Sequence, residues 1–306
     1  MIHHGATQAA IKQEQHPCRL CGGQTEYKFN KTILGKYDVG YFKCQRCHSL
    51  QTEAPYWLEE AYSNHISNLD VGALQRNLHN FAYCYIFAKI FKIAKGLDYG
   101  SSDGLLCRFM RDQNFDYYAF DKYASLTYAQ GFTPPQGTPL DLVTLFEVLE
   151  HLPNPSIDLE SIFAYKADHY LFSTEIYENQ GEDWWYLAAE TGQHVFFYSA
   201  VALAMIGNSL KMHMIKIGSN YLIYNPASKD IQSHIHQAQF ALEGWAFDAL
   251  RPHVLSLPGV GVARDAATLA STSGEAKPLA TTAPAPAPAP EIMKGGIKLS
   301  WNAKIK

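Results

Sequence analysis

Residues 97–104, LDYGSSDG, place a glycine-rich turn directly after a short apolar run. Residues 105–115, LLCRFMRDQNF, follow at once with the apolar spacing of a helix. Gly100, Ser102 and Gly104 leave this turn with very little side chain, so that its backbone can approach a ligand closely. The order of apolar run, small-residue turn and helix indicates a ligand-binding edge of an α/β sheet.

Two acids stand at the ends of neighbouring apolar runs. Asp98 ends the run before the turn, and Asp121 ends the next run, DYYAFD at 116–121. An acid that follows the second strand of such a unit is placed to accept the ribose hydroxyls of a bound nucleoside. The pair of acids therefore favours a nucleoside-containing ligand over an empty structural turn.

From residue 97 onward, short apolar runs alternate with helical patterns. This alternation predicts an open, mostly parallel sheet with helices on both faces, in which ligands bind outside the carboxyl ends of the strands. The last two runs read as an antiparallel pair. The predicted strands are 97–100, 116–121, 140–149, 169–176, 211–218 and 220–226, and the predicted helices between them are 105–115, 156–166 and 199–210.

The turn resembles motif I of class I S-adenosylmethionine-dependent methyltransferases, a Gly-x-Gly-x-Gly loop after an acid, here with serine in the middle. The stretch DLVTLFEVLEHLPNP at 141–155 is similar to the strand-four region of this family, and GQHVFFYS at 192–199 resembles a later segment. The resemblance covers about residues 85–226. It implies an α/β fold with a Rossmann-like methyltransferase sheet, mostly parallel with a closing antiparallel strand.

The resemblance also implies that S-adenosylmethionine is the cofactor. The small residues would admit its methionyl part, and the first acid would lie near its cationic amino group. The residues predicted to bind the cofactor are Asp98, Gly100, Ser102, Gly104 and Asp121.

His151 follows a central strand and should face the expected cleft, so it is the candidate general base. Glu147 and His194 are the other candidate catalytic residues. In ubiquinone-pathway and small-RNA O-methyltransferases, a similar Glu-x-x-Glu-His segment holds a divalent ion. A second metal site at Glu147, Glu150, His151 and His194 therefore stays open, as does a purely structural role for His151.

The stretch EDWWYLAAETGQH at 182–194 is rich in aromatic side chains. Aromatic faces suit sugar rings, planar bases or lipophilic groups, and they suit equally a lid packed on the protein's own core. The candidate substrate-contacting residues are Tyr177, Trp184, Trp185 and Tyr186.

Two Cys-x-x-Cys pairs precede the sheet. Each pair makes a tight turn that directs two thiolates to one point, and two such turns supply a closed tetrahedral zinc site. We predict a structural zinc ion with no catalytic role, held in a small lobe over residues 16–54, here called the cysteine lobe. Its predicted ligands are Cys18, Cys21, Cys44 and Cys47.

Composition sets the class of protein. The chain has 306 residues, 47% hydrophobic and 18% charged, with a net charge of −4 and a pI near 6.3. These values predict a globular cytoplasmic protein and argue against general nucleic-acid binding. The first residues, MIHHGATQAAIKQEQ, do not read as a signal peptide, and no apolar run is long enough for a membrane span. The oligomeric state stays open.

The predicted organisation has six parts. These are a flexible N-terminus at 1–15, the cysteine lobe at 16–54, a helical segment at 55–95, the methyltransferase domain at 96–226, one C-terminal helix at 227–252, and a Pro/Ala-rich disordered tail at 253–306.

The predicted function is methyl transfer to a small or carrier-linked acceptor, such as a nucleotide-sugar or glycan. A zinc lobe before such a domain is loosely similar to deoxysugar C-methyltransferases, although their large C-terminal domain is missing here. Three alternatives remain: a nucleic-acid methyltransferase that reads through its zinc lobe, a non-catalytic protein that binds S-adenosylmethionine, and a nicotinamide-dependent oxidoreductase. The glycine spacing disfavours the last.

Overall fold

The structure is a computed structural model, and it describes residues 16–63, 72–135 and 137–273. The predictions for residues 1–15 and for 274–306 lie outside these ranges. The strands are β1 (Thr25–Ile33), β2 (Tyr37–Cys44), β3 (Leu50–Thr52), β4 (Lys95–Tyr99), β5 (Asp116–Phe120), β6 (Leu142–Leu145), β7 (His169–Phe172), β8 (Phe196–Phe197), β9 (His213–Ile217) and β10 (Asn220–Tyr224). The helices are α1 (Leu58–Ser63), α2 (Ala73–Phe91), α3 (Leu105–Asp112), α4 (Pro155–Phe163), α5 (Ala200–Ser209), α6 (Ile231–Ala241), α7 (Gly244–Leu255) and α8 (Val262–Ser273).

The larger sheet has six strands in the order β5-β4-β6-β7-β10-β9. Strands β5, β4, β6 and β7 are parallel neighbours, and β10 runs antiparallel to both β7 and β9. The connections through α3 and α4 place helices over the sheet, which is the reason why β6 and β7 are buried at every position. The predicted fold, a mostly parallel Rossmann-like sheet closed by an antiparallel strand, is confirmed.

The smaller sheet joins the cysteine lobe to the main domain. Strands β1, β2 and β3 form an antiparallel meander, and β8 adds a fourth strand beside β3. Leu50 pairs with Phe197, across a separation of almost half the chain. The lobe is therefore continuous with the domain rather than separated from it at residue 54.

Helix α2 is the most deeply buried helix. All of its positions from Phe81 to Ala88 are buried, because it packs against α3, α6 and α7. The sequence predicts one helix over 227–252, and this prediction is wrong. The chain bends between α6 and α7 at Gly244, whose φ of +51° is incompatible with a continuing helix.

A further helix, α8, occupies part of the segment predicted as a disordered tail, so that prediction is wrong for residues 262–273. Asp265 is 1% exposed and accepts two hydrogen bonds from Arg111 of α3, each of 2.8 Å. Arg108 donates a third, of 2.6 Å. A bidentate, charge-assisted contact of this kind docks α8 on α3.

None of the helices within the described ranges combines the length and the apolar character that crossing a bilayer would require.

Candidate functional site

The four cysteines of the two pairs lie together. Their sulfur atoms are all within 4.8 Å of one another, with 3.6 Å between Cys18 and Cys47 and 3.5 Å between Cys21 and Cys44. The backbone N–H groups of Arg46 and Cys47 point at the Cys44 sulfur, at 3.3 and 3.4 Å. Four convergent sulfurs with donated N–H groups suit a tetrahedral zinc ion, whose thiolate ligands carry negative charge.

Glycine sets the geometry of the first cysteine turn. Gly22 has a φ of +70°, which a side chain rarely tolerates. A Cβ on Gly23 would lie 2.8 Å from the Cβ of Arg46 and 3.1 Å from the Cys44 sulfur. The second glycine therefore lets the two cysteine turns approach each other.

At the carboxyl edge of the large sheet, Asp98 is 5% exposed and accepts a hydrogen bond of 3.0 Å from the Thr144 hydroxyl. Burial raises the pKa of this carboxyl group to about 7, and the Thr144 hydrogen bond acts in the opposite direction. A nearby cation would favour the ionised form. The site therefore fits the ammonium group of an amino-acid ligand.

The two glycines of the turn, Gly100 and Gly104, allow the turn to pack closely against neighbouring parts of the protein. Gly100 and Gly104 have φ values of +73° and +86°. A Cβ on Gly100 would lie 2.6 Å from Val148, and a Cβ on Gly104 would lie 2.6 Å from Ala129. Both glycines thus permit close packing around the turn, and the ligand-facing part is left to the exposed Ser102 and the backbone.

Asp121 has a structural role in addition to the predicted one. Its Oδ1 accepts hydrogen bonds of 2.8 Å from the N–H groups of Tyr123 and Ala124, and its Oδ2 accepts one of 2.8 Å from Ser102. A carboxylate has about four acceptor positions. Oδ1 already accepts two hydrogen bonds, whereas Oδ2 accepts one. Oδ2 can therefore accept a further hydrogen bond from one hydroxyl group, but the carboxylate does not have one free position on each oxygen.

Beyond the turn, Glu150, His151 and His194 converge, with one ligand-capable atom of each within 4.8 Å of the others. The two imidazole rings meet edge to face at 4.7 Å. His194 donates its Nδ1 hydrogen to the Tyr186 carbonyl at 2.7 Å, so its Nε2 is left as an acceptor. We call these three residues the acid–histidine cluster.

Burial controls the protonation of this cluster. It lowers the pKa of His151 to about 3, with His194 contributing in the same direction, and it also lowers the pKa of His194. Burial raises the pKa of Glu150 well above its ordinary value, and Glu147 adds to that rise. Neither oxygen of Glu150 has a hydrogen-bond partner among the residues that the structure describes. Two neutral imidazoles beside a buried, unsatisfied carboxyl group are a donor set that fits a divalent cation.

Glu147 does not join the cluster. Its side chain is exposed, and its Oε1 accepts a hydrogen bond of 2.6 Å from Ser173, whose oxygen in turn accepts the Glu147 N–H at 2.9 Å. In the sequence, Glu150 directly precedes His151 and Glu147 lies four residues before it. After the tight turn that follows β6, where Glu147 has a φ of +53°, Glu147 is exposed and Glu150 is buried.

The aromatic segment is mostly part of the core. Tyr177 and Tyr186 are 3% and 1% exposed, and both belong to the hydrophobic cluster of the cysteine lobe. Trp184 packs between Tyr186 and Phe197, with ring centres 5.4 and 5.5 Å away. Among the four predicted substrate contacts, only Trp185 is largely exposed, at 74%.

Sequence reasoning missed a tyrosine beside the cluster. The hydroxyl of Tyr62, on α1, lies 3.4 Å from Nδ1 of His151, and its ring stacks on Tyr123 at 4.4 Å. Tyr123 follows the second acid of the cofactor turn by two residues. The tyrosine pair thus connects the Asp121 turn with the acid–histidine cluster, a contact that no local motif signals.

Residues 65–208 match the family model described as a methyltransferase domain. Together with the sheet described above, this match gives the chain a methyltransferase domain over these residues. No curated protein shows significant similarity to the chain.

Solved methyltransferase structures are similar to the chain at low identity. The methyltransferase domain of bacterial CtHen1-C is 15% identical, with a TM-score of 0.36, over 49% of this chain and 99% of that one. An O-methyltransferase family protein from Burkholderia thailandensis is 11% identical, with a TM-score of 0.42, over 54% of this chain and 61% of that one. Magnesium protoporphyrin IX methyltransferase from Synechocystis PCC 6803, solved with bound SAM, is 14% identical, with a TM-score of 0.36. The match covers 52% of this chain and 82% of that one.

Proposed function

We propose that the protein transfers the methyl group of S-adenosylmethionine to a hydroxyl group of a small or carrier-linked acceptor, and that the acid–histidine cluster receives this hydroxyl. The observation that carries the proposal is the placement of two sites at one edge of the sheet. Asp98 lies near the end of β4 and its turn follows that strand, and Glu150 and His151 follow the neighbouring strand β6. The carboxyl ends of adjacent parallel strands hold both reactants close together.

In the cofactor site, Asp98 would bind the ammonium group, the backbone from Gly100 to Gly104 would contact the methionyl part, and Oδ2 of Asp121 would accept one ribose hydroxyl. S-adenosylmethionine supplies the electrophilic methyl carbon, and the protein contributes alignment. The buried Ser101 hydroxyl, which has no partner in the described chain, supports a polar ligand at this turn.

In the acceptor site, His151 would accept or hold the proton of the acceptor hydroxyl, and His194 would direct its Nε2 at the same point. With a pKa near 3, His151 is a weak base by itself. A divalent cation held by Glu150, His151 and His194 would lower the pKa of a bound hydroxyl. The two unsatisfied oxygens of Glu150 support this second, catalytic metal, which is separate from the structural zinc proposed for the four cysteines.

The proposed acceptor is a nucleotide-sugar, a glycan or a comparable polyol, because these offer hydroxyl groups and a ring face. Trp185 is the exposed aromatic side chain next to the cluster-bearing segment and would stack on such a ring. The cysteine lobe would close the other side of the site through β8.

Calorimetric titration of S-adenosylmethionine into zinc-loaded protein tests the cofactor site. We expect one site of micromolar affinity in the wild type, and a Kd raised about 10- to 100-fold in Asp98→Asn, because hydrogen bonds to charged groups contribute about 1.5–3 kcal/mol. Asp103→Asn, in the same turn, is the matched control and should bind like wild type. NAD should not bind.

Absence of S-adenosylmethionine binding to folded wild type would refute the enzymatic proposal and would favour a protein that retains only the fold. Binding that is unchanged in Asp98→Asn would remove Asp98 from the site. Tight, strongly salt-dependent binding of RNA or DNA would instead favour the nucleic-acid alternative.

The affinity for S-adenosylmethionine should depend on pH near neutrality. Asp98 has a pKa of about 7 in the free protein, so it takes up a proton as the pH falls below that value. The protonated acid cannot pair with an ammonium group, and the Kd should therefore rise by up to about tenfold per pH unit below 7. Titrations between pH 5.5 and 8.5 check this, and Asp98→Asn should lack the dependence.

A further inference from the structure

A buried arginine connects the cysteine lobe to the acid–histidine cluster. Arg19 lies inside the first Cys-x-x-Cys turn, between two of the proposed zinc ligands. Its guanidinium leaves that turn and donates hydrogen bonds to the Val195 carbonyl and, at 3.3 Å, to the Thr52 hydroxyl. The backbone N–H of Arg19 donates a hydrogen bond of 2.8 Å to the side-chain oxygen of Gln51. Val195 is the residue that follows His194, so the arginine contacts the backbone one residue beyond the cluster.

The backbone of Val195, the residue after His194, is held on both sides. The Val195 N–H donates to the Glu150 carbonyl at 2.9 Å. The Val195 carbonyl accepts from Arg19 and also from the Thr52 N–H at 3.1 Å. A continuous chain of hydrogen bonds therefore runs from the first cysteine turn to two members of the cluster.

Arg19 also contacts the segment that follows His151, the third residue of the acid–histidine cluster. The Arg19 carbonyl accepts the Ser156 N–H at 3.3 Å, at the start of α4 and five residues beyond His151. Among the described residues, the guanidinium donates to carbonyl and hydroxyl oxygens and to no carboxylate, so its burial costs desolvation energy that the nearby Cys18 thiolate offsets in part. Such an arrangement indicates selection for position rather than for stability.

We propose that Arg19 is a positioning residue that holds His194 in register with Glu150, so that the metal-organised cysteine lobe sets the geometry of the acceptor site. This inference rests on the proposed function of the cluster. It gives the cysteine lobe a role in the reaction without contact between its metal and any reactant.

The chain offers a matched control. Arg46 lies inside the second Cys-x-x-Cys turn, is exposed, and donates only within the lobe, to the Cys21 carbonyl at 3.2 Å. Arg19→Ala and Arg46→Ala each remove one arginine from a cysteine turn. Arg19→Lys keeps the charge and one donor toward Val195 and loses the forked geometry.

The readout is the imidazole N–H signal of His194 in NMR spectra of the full zinc-loaded protein, assigned with His194→Gln. In wild type this hydrogen is bonded to the Tyr186 carbonyl and should exchange slowly with water. We expect Arg19→Ala to shift the signal and to speed its exchange about tenfold or more, with Arg19→Lys intermediate and Arg46→Ala unchanged. Zinc content, melting temperature and the S-adenosylmethionine Kd are measured on the same samples.

A His194 signal that is unaltered in Arg19→Ala would overturn the proposal. So would an equal change in Arg46→Ala, since a general loosening of the lobe would then explain both. If Arg19→Ala fails to fold, the comparison of Arg19→Lys with Arg46→Ala decides. Failure of wild type to bind S-adenosylmethionine would refute the proposed function, and the His194 comparison would still decide the role of Arg19.

Discussion

Replacing Cys44 by serine is expected to abolish zinc binding and to unfold the cysteine lobe. Structural zinc sites contribute about 10 kcal/mol or more to folding, because the site does not exist in the unfolded chain. Cys44 is fully buried, and two backbone N–H groups point at its sulfur. Zinc content by atomic emission and thermal unfolding by calorimetry measure the effect.

The Cys44→Ser substitution should also destabilise the methyltransferase domain outside the cysteine lobe. Cys18, Cys44 and Cys47 belong to the same hydrophobic cluster as Leu149 and Tyr198 of the methyltransferase domain. Ser199 caps α5 and also donates a hydrogen bond to the Cys47 carbonyl. We therefore expect one cooperative transition at a much lower temperature, rather than an early lobe transition followed by an unchanged domain transition.

Cys107→Ser is the control for this experiment. Cys107 is also buried, lies outside the four-cysteine site and donates to the Tyr117 carbonyl at 3.3 Å, a hydrogen bond that serine can make. It should retain one zinc per chain and lose a few degrees at most. Metal-free protein after purification without chelators, or a Cys44→Ser protein as stable as the wild type, would disprove the zinc assignment.

Replacing Glu150 by glutamine is expected to weaken divalent-cation binding at the acid–histidine cluster about 100-fold or more, since changes to outer-shell residues already cost 10- to 100-fold. Glu150 supplies the carboxyl group of the cluster, and its oxygens have no hydrogen-bond partner within the described part of the chain. Manganese is the probe, because its paramagnetic signal reports the free ion. The titration uses zinc-loaded protein, so that the cysteine site is already filled.

Glu147→Gln is the matched control, three residues away in the same segment. Its carboxylate bonds to Ser173 and lies outside the cluster, so manganese affinity should change by less than about tenfold. Equal losses in both variants would show that Glu147 moves into the site when the ion binds. No binding by the wild type would remove the metal and would leave His151 to act alone.

Much of the fold could be predicted from local patterns. The run that ends in Asp98, the small-residue turn and the helix after it occur where the sequence predicts them, because short-range periodicity and glycine content decide such elements. The convergence of the four cysteines also follows from their spacing. Element ends were less predictable: β6 stops at Leu145, because the chain turns sharply at Glu147.

The candidate site was predictable only in its components. The sequence identifies His151, His194 and Glu147 as catalytic candidates, and it names Glu150 only as a possible ligand of a second metal. The turn conformation after β6 decides that Glu150 is buried in the cluster and that Glu147 is exposed beside Ser173. Likewise, the aromatic segment predicts substrate contacts, whereas packing on the cysteine lobe buries two of its four candidates.

The sequence by itself determined the class of the protein: a small-residue turn between a strand and a helix, two acids at strand ends, and two cysteine pairs. These features depend on residues close together in the chain, where spacing and residue type settle the geometry. Only the tertiary structure decided that β8 completes the sheet of the cysteine lobe, that Arg19 reaches Val195, and that α8 docks through Asp265. Each of these joins segments more than a hundred residues apart, and such contacts arise from the packing of the whole chain.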